Sequence, residues 1–176
     1  MITTTKIKTS LGNMIAAAND DGLCLFDFEY RKMMPGIQKR MSSFLQDEFA
    51  EGQHPLFEQL QAQFDEYLSG SRQIFNLPLV MTGTAFQNKV WNELLNIPYG
   101  ATRSYMQQSK VLGDEKAIRA VARANGENCF AVIVPCHRVV GSDGSLTGYA
   151  GGLKNKKWLL EHEAKHAGVS YQATMF

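Results

Sequence analysis

Two short helical stretches pivoting on Gly113 constrain this chain more than any other feature of its sequence. Thr102 or Arg103 starts the first, which runs to about Val111. Asp114 then caps a second over Glu115–Ala124, with Ala117, Ile118, Val121 and Ala122 on its apolar side. Two short helices around a glycine turn form the pattern of a helix-turn-helix, whose second helix enters a DNA groove. Any αα-hairpin shares that pattern, so spacing alone leaves both architectures open.

The flanking segments extend the organisation. Thr84 followed by Gln87 is a capping-box pattern that opens a helix through Asn96, with Phe86, Val90, Trp91, Leu94 and Leu95 on its buried face. Ile97-Pro98-Tyr99-Gly100 ends that helix. Phe130–Val134 is a β-branched apolar run that reads as a short buried extended segment. Five glycines (141, 144, 148, 151 and 152) make the stretch Gly141–Gly152 a loop, and Leu153–Ala167 reads as a final helix.

The N-terminal third has a different texture. Thr3–Ser10 and Met14–Ala18 flank the turn signal Leu11-Gly12-Asn13, and Leu23–Phe28 follows Asp20-Asp21-Gly22, so these predict a small antiparallel sheet. Ile37, Met41, Phe44, Leu45 and Phe49 then recur at helical spacing. A second helix follows Pro55, with Leu56, Phe57, Leu60, Phe64, Tyr67 and Leu68 on its apolar face and Gly70 as its stop. Leu77-Pro78-Leu79-Val80 reads as extended. Met81-Thr82-Gly83-Thr84 is the junction, which divides the chain into domains 1–82 and 83–176.

Charge separates the same two parts. Residues 1–84 hold 7 Lys/Arg against 10 Asp/Glu, and residues 85–176 hold 11 against 7, although the whole chain carries only +1. With 176 residues and 44% apolar content the chain can bury a core without staples. It has no apolar run of membrane-spanning length, and Met1–Lys6 lacks the apolar segment of a signal peptide, so no membrane association and a cytoplasmic location are expected. Cys24, Cys129 and Cys136 are too few and too irregularly spaced for a disulfide framework or a zinc set, which leaves free thiols and no metal.

The chemistry concentrates in Val134-Pro135-Cys136-His137-Arg138-Val139. A free thiol has a pKa of about 8.5, so Cys136 needs help to become the reactive thiolate. In an extended segment adjacent side chains point apart. His137 is therefore expected to act on Cys136 through a bridging water. Glu163 on the final helix is the candidate carboxylate to orient the imidazole, since His162 faces another way. A buried structural thiol and a Cys-His hydrolase are the other readings of the dipeptide.

Pro135-Cys136-His137-Arg138-Val139 resembles the signature of the O6-alkylguanine-DNA alkyltransferases (methylated-DNA–protein-cysteine methyltransferases). So do Gly83-Thr84-Ala85-Phe86-Gln87 with Val90-Trp91, Ile97–Tyr105, Arg119-Ala120-Val121-Ala122 with Ala124–Asn128, Tyr149–Leu153, and Lys157–Glu163. The resemblance implies an α/β (α+β) fold, with a ribonuclease H-like N-terminal domain ahead of a mainly helical winged helix-turn-helix domain. It implies a monomeric DNA repair protein that takes an alkyl group from O6 of guanine (and O4 of thymine) in double-stranded DNA, once and irreversibly, without a cofactor. A non-catalytic lesion-binding relative is the alternative; relatives of that kind lack the cysteine.

Roles follow from the same resemblance. Cys136 accepts the alkyl group, His137 takes its proton and Glu163 orients His137. Asn128 hydrogen-bonds in the turn behind the nucleophile, and Tyr105 donates to the departing guanine. Main-chain groups at Tyr149, Ala150 and Val139 contact the flipped base. Arg119 enters the base stack from the minor groove. Cys129 stands where the family often has proline, Ala101 where it often has glutamate, and Met106 and Ser109 are unusual helix residues; none of these departures removes a reactive group.

Overall fold

The structure is a computed structural model that describes residues 1–171 and the strand Thr174–Met175. Contacts between Cα atoms divide it into two units, Met1–Thr82 and Gly83–Phe176.

In the first unit, β1 (Ile2–Thr9), β2 (Gly12–Asn19) and β3 (Gly22–Phe28) form an antiparallel meander. The turns are tight because Gly12 and Gly22 take φ values of 128° and 154°. Gly22 is needed for a second reason: a Cβ there would lie 2.7 Å from the Pro78 carbonyl oxygen. The extended segment around Leu79 uses that space, with Leu23 donating to Pro78 O and Val80 to Leu23 O, both at 2.8 Å. β3 is buried along its whole length, and Phe26 packs edge-on to Phe64.

Helices α1 (Met34–Leu45) and α2 (Pro55–Ser69) complete the unit. The helical pattern expected to reach Phe49 stops earlier. Gln46 adopts a left-handed conformation, its N–H closing on Ser42 O, and Phe49 joins β4 (Phe49–Glu51). β4 pairs with β1 in parallel, so the sheet is mixed, in the order β3-β2-β1-β4. Phe44 is exposed rather than on the buried face. α2 begins at Pro55, is capped by His54 and ends at Gly70.

In the second unit, Thr84 and Gln87 form a reciprocal capping box at the start of α3 (Ala85–Leu94). Val90, Trp91 and Leu94 are fully buried, and the Trp91 indole N–H donates to Ala124 O at 2.8 Å. Phe86 and Leu95, both expected in this face, are exposed. Phe86 falls in the first turn of α3 and Leu95 just beyond the last. β5 (Arg103–Ser104) leads directly into α4 (Tyr105–Val111), where Ser104 and Gln107 form a second capping box.

After the Gly113 turn, at φ 92°, Asp114 caps a single turn of 3-10 helix over Glu115–Ala117. The α-helix proper, α5, runs Ile118–Gly126, three residues later than the sequence pattern places its start. The chain then passes through the site segment to β6 (Val139–Val140), parallel to β5, and β7 (Ser145–Leu146), parallel to β8 (Thr174–Met175). α6 (Leu153–Ala167) closes the unit, and Leu160 packs with Val140 and Leu146.

Two local expectations fail at the site segment. Phe130–Val134 is buried but turned rather than extended, with Val134 N–H donating to Phe130 O at 3.0 Å and Val132 at φ 70°. Cys136–Arg138 is a turn of 3-10 helix. The cause is Asn128. Its amide donates to Val134 O at 2.8 Å and to Phe130 O at 3.4 Å, while its carbonyl oxygen accepts from Phe130 N–H at 2.9 Å. One side chain supplies bonds that a neighbouring strand would otherwise make, and it curls the segment around itself.

Candidate active site

Cys136 is half-buried at the end of this curl, the only one of the three free cysteines that is not buried. The Asn128 amide reaches its sulfur at 3.4 Å. His137 and Glu163 are both fully buried, with Nε2 of the imidazole 2.8 Å from Oε1 of the carboxylate. Arg138, the next residue, donates from Nε to Glu163 Oε2 at 2.8 Å and from a terminal nitrogen to Oε1 at 2.9 Å. Its other terminal nitrogen donates to Ile97 O. One carboxylate on α6 thus holds two consecutive residues of the 3-10 turn.

These contacts set the protonation states. Burial holds His137 below the ordinary imidazole range, against the pull of Glu163. Burial resists ionisation of Glu163, but the bonds and charges of His137 and Arg138 outweigh it and hold the carboxyl well below the usual range. With His137 neutral, the permanent charge of Arg138 carries that effect. Nε2 must then bear the proton and donate to Glu163, which leaves Nδ1 as the acceptor. Nδ1 is buried and has no hydrogen-bond partner among the described residues.

A pH dependence of stability follows. An unfolded chain binds a proton at this imidazole below about pH 6.5 and the folded chain resists it, so stability should fall as pH drops through that value. A second loss should follow below the ordinary Glu value of 4.5, as protonation in the unfolded chain draws on the depressed Glu163. Thermal melts from about pH 8 to pH 4 should show both steps, and His137→Gln should remove the first. A melting temperature flat across that range in the parent protein would contradict the assignment.

The remaining residues expected at the site lie as follows. Tyr105, the first residue of α4, donates its hydroxyl to Thr147 O at 3.1 Å, and burial raises its pKa, so it stays a donor at neutral pH. Tyr149 lies edge-on to His137 with ring centroids 6.4 Å apart, and Ala150 follows it in the loop. Val139 is buried, pairs with Arg103 and donates its N–H to Cys136 O. Arg119, exposed on α5, borders an open cavity of about 470 Å³ with Tyr105, Ile118, Ala122, Thr147 and Gly148. The structure therefore brings two bonded groups together on consecutive residues, Asn128 with Cys136 and Glu163 with His137 and Arg138, and sets Tyr105 and Arg119 on the wall of one cavity. No group of three or more potential metal ligands occurs among the described residues.

Sequence pattern alone misses two contributors. Arg138 lies in the motif, but no local pattern assigns it a role. Lys156 is 1% exposed, donates to Thr147 O at 3.2 Å and Gly148 O at 3.3 Å, and sits 6.0 Å from the Tyr105 ring centroid. Burial lowers its pKa to about 8, while the nearby Cys136 pulls the other way. The signal was present: Lys156, Leu159, Leu160 and Glu163 are spaced i, i+3, i+4, i+7, a buried helical stripe with a charge at each end.

A half-buried cysteine, a buried His-Glu-Arg cluster and a helix-turn-helix in one unit define a thiol-based group-transfer protein that works on DNA. The family models agree. Residues 85–165 match the DNA-binding domain of 6-O-methylguanine DNA methyltransferase, and residues 2–81 match its ribonuclease-like domain. A methylated-DNA–protein-cysteine methyltransferase of Methanosarcina acetivorans is 40% identical over 156 residues, 89% of this chain and 94% of the relative. One from Mycobacterium bovis is 50% identical over 105 residues, 60% of this chain and 64% of the relative.

Among solved structures, Mycobacterium tuberculosis O6-methylguanine methyltransferase superposes with a TM-score of 0.79 at 36% identity, covering 94% of each chain. Mycobacterium tuberculosis OGT in complex with DNA gives 0.81 at 35% identity, covering 93% of this chain and 94% of that one. The chain belongs to the 6-O-methylguanine DNA methyltransferase family. It is a DNA repair enzyme, and no helix among its described residues is long and apolar enough to cross a membrane.

Proposed function

We propose that this chain repairs duplex DNA by moving an alkyl group from O6 of guanine, and from O4 of thymine, to the sulfur of Cys136. The observation that carries the reading is the cluster Glu163–His137 with its free Nδ1 acceptor, set in the 3-10 turn that presents the half-buried thiol. Nδ1 takes the thiol proton through a water, because the adjacent ring and sulfur make no direct bond. Glu163 fixes the tautomer, and Arg138 keeps Glu163 charged.

The thiolate attacks the alkyl carbon in line. A sulfur–carbon bond forms, the carbon–oxygen bond breaks, and the electron pair leaves on the guanine ring. Tyr105 donates to that ring, the N–H groups at Tyr149 and Ala150 face O6, and the carbonyls of Cys136 and Val139 accept from the exocyclic amine. The product thioether has no hydrolytic way back, so each molecule acts once, and no cofactor enters.

The reacting carbon is buried in a duplex, so the nucleotide is flipped out at a cost of a few kcal/mol. α5 docks in the minor groove and Arg119 fills the gap in the stack. The protein works as a monomer in the cytoplasm. Arg119→Ala should slow repair of an O6-methylguanine duplex by roughly 10²-fold, while leaving reaction with free O6-benzylguanine within about twofold. Equal losses on both substrates would remove the stack-filling role.

The reaction itself is tested by incubating the protein with an O6-methylguanine duplex and mapping the modified peptide by mass spectrometry. One methyl group per chain at Cys136 is expected. An unmodified but DNA-bound protein, or turnover of an ester or amide, would overturn the reading.

A further inference from the structure

The helix-turn-helix contains a buried feature that the alkyl-transfer reaction, as described above, leaves unused. Gln108 of α4, fully buried, and Asn125 of α5, 6% exposed, face each other across the helix pair. Gln108 Nε2 donates to Asn125 Oδ1 at 2.8 Å, and Asn125 Nδ2 donates to Gln108 Oε1 at 2.7 Å. The two amides close a ring of reciprocal bonds. Two apolar side chains would hold the helices together without desolvating any polar group. What an amide pair adds is direction, since it permits one separation and one register only.

Both partners are tied to reacting groups. Gln108 lies one turn after Tyr105 on the same side of α4. Asn125 is tied to the turn that follows α5, where its main-chain carbonyl accepts from Asn128 N–H at 3.3 Å. The Asn128 amide in turn donates to Val134 O and to the Cys136 sulfur. A short bonded route therefore runs from the helix that carries the Tyr105 hydroxyl to the turn that carries the nucleophile.

We infer that Gln108 and Asn125 are a positioning pair for alkyl transfer: their reciprocal amide bonds set the separation between the Tyr105 hydroxyl and the Cys136 sulfur. The inference rests on the alkyl-transfer reading above. A misplacement of about 1 Å between reacting groups is enough to cost up to 10²-fold in rate, so a pair that only fixes helix register can act on chemistry it never touches.

The experiment uses single-turnover reaction of the full chain with free O6-benzylguanine, which needs no DNA docking. It compares the parent, the Gln108→Leu/Asn125→Leu double variant, the exchanged pair Gln108→Asn/Asn125→Gln, and Tyr105→Phe alone and combined with the double leucine change. The double leucine variant should melt within a few degrees of the parent, yet its rate at saturating substrate should fall about tenfold with little change in half-saturation. The exchanged pair conserves total side-chain length and should return the rate to within about twofold of the parent. On the Tyr105→Phe background the double leucine change should cost less than about twofold, because both act on the same contact.

A folded double leucine variant reacting at the parental rate would overturn the inference. So would an undiminished tenfold loss on the Tyr105→Phe background. If the double leucine variant fails to fold, the exchanged pair decides: a native melt with a tenfold slower reaction overturns the inference, and a parental rate supports it. A parent protein that takes no methyl group on Cys136 from an O6-methylguanine duplex would show instead that the alkyl-transfer reading itself is wrong.

Discussion

Cys136→Ser should abolish alkyl transfer and leave the rest of the molecule in place. An alcohol is far less acidic than a thiol and a far weaker nucleophile toward carbon, and His137, neutral through burial, is too weak a base to make up the difference. The rate should fall by at least ~10⁴-fold, roughly 5 kcal/mol of barrier. The substitution is small, the site is half-buried, and the Asn128 amide that reaches sulfur keeps its bonds to Val134 and Phe130. Stability should therefore change by less than ~1 kcal/mol, and binding to an alkylated duplex should persist. Intact-mass spectrometry after incubation with methylated duplex, paired with a gel-shift titration, reads both halves. A one-methyl mass gain in the serine variant would move the acceptor to one of the two buried cysteines and sink the assignment.

Glu163→Gln should do the opposite and damage fold and chemistry together. Arg138 places Nε and one terminal nitrogen on this carboxylate, and both side chains are at most 9% exposed. Neutralising the partner strands a buried guanidinium, at a cost of about 3–5 kcal/mol. For a unit of this size that lowers the melting temperature by roughly 15 °C or more. The imidazole loses its orienting acceptor at the same time, so alkyl transfer should slow by a further ~10²-fold, measured below the new melting point. Combining Glu163→Gln with Arg138→Met removes the stranded charge. It should recover most of the stability and none of the rate. A single Glu163→Gln variant that melts like the parent would mean that Arg138 and His137 are held by something else.

The outline of the fold is readable along the chain because most of its signals are local. Thr84 with Gln87, His54 with Pro55, and Gly70 each satisfy orphan helix-end groups from within a few residues, and those three helix ends fall close to where the pattern puts them. Periodicity is less informative about where a helix stops. Phe49 continues the spacing of α1, but the left-handed Gln46 has already ended the helix, and pairing with Ile2 takes Phe49 into a strand. Phe86 and Leu95 keep the spacing of α3 but lie at its two ends, where both are left exposed.

The site segment is the least legible part of the sequence. A β-branched run looks extended when only backbone pairing is considered, and nothing local reveals that the Asn128 side chain bonds both ends of it. The acid of the cluster lies 26 residues beyond His137, so its proximity is a tertiary fact. Lys156 was legible in principle, as the first member of a buried stripe, but a lysine in a helical first turn ordinarily reads as solvated.

Val132 gives the segment a mechanical property. A β-branched residue at φ 70° carries a strain of about 1–2 kcal/mol. It sits four residues before Cys136, inside the loop that the Asn128 amide holds shut. The nucleophile is thus mounted on a preloaded spring that the Asn128 amide and the Val134 N–H bond to Phe130 O both hold closed, and the amide also touches the sulfur. On the far side, Glu163 and Arg138 form an anchorage that does not depend on Asn128. The sulfur is therefore braced from two sides by bonds that share no side chain, one set toward α5 and one toward α6.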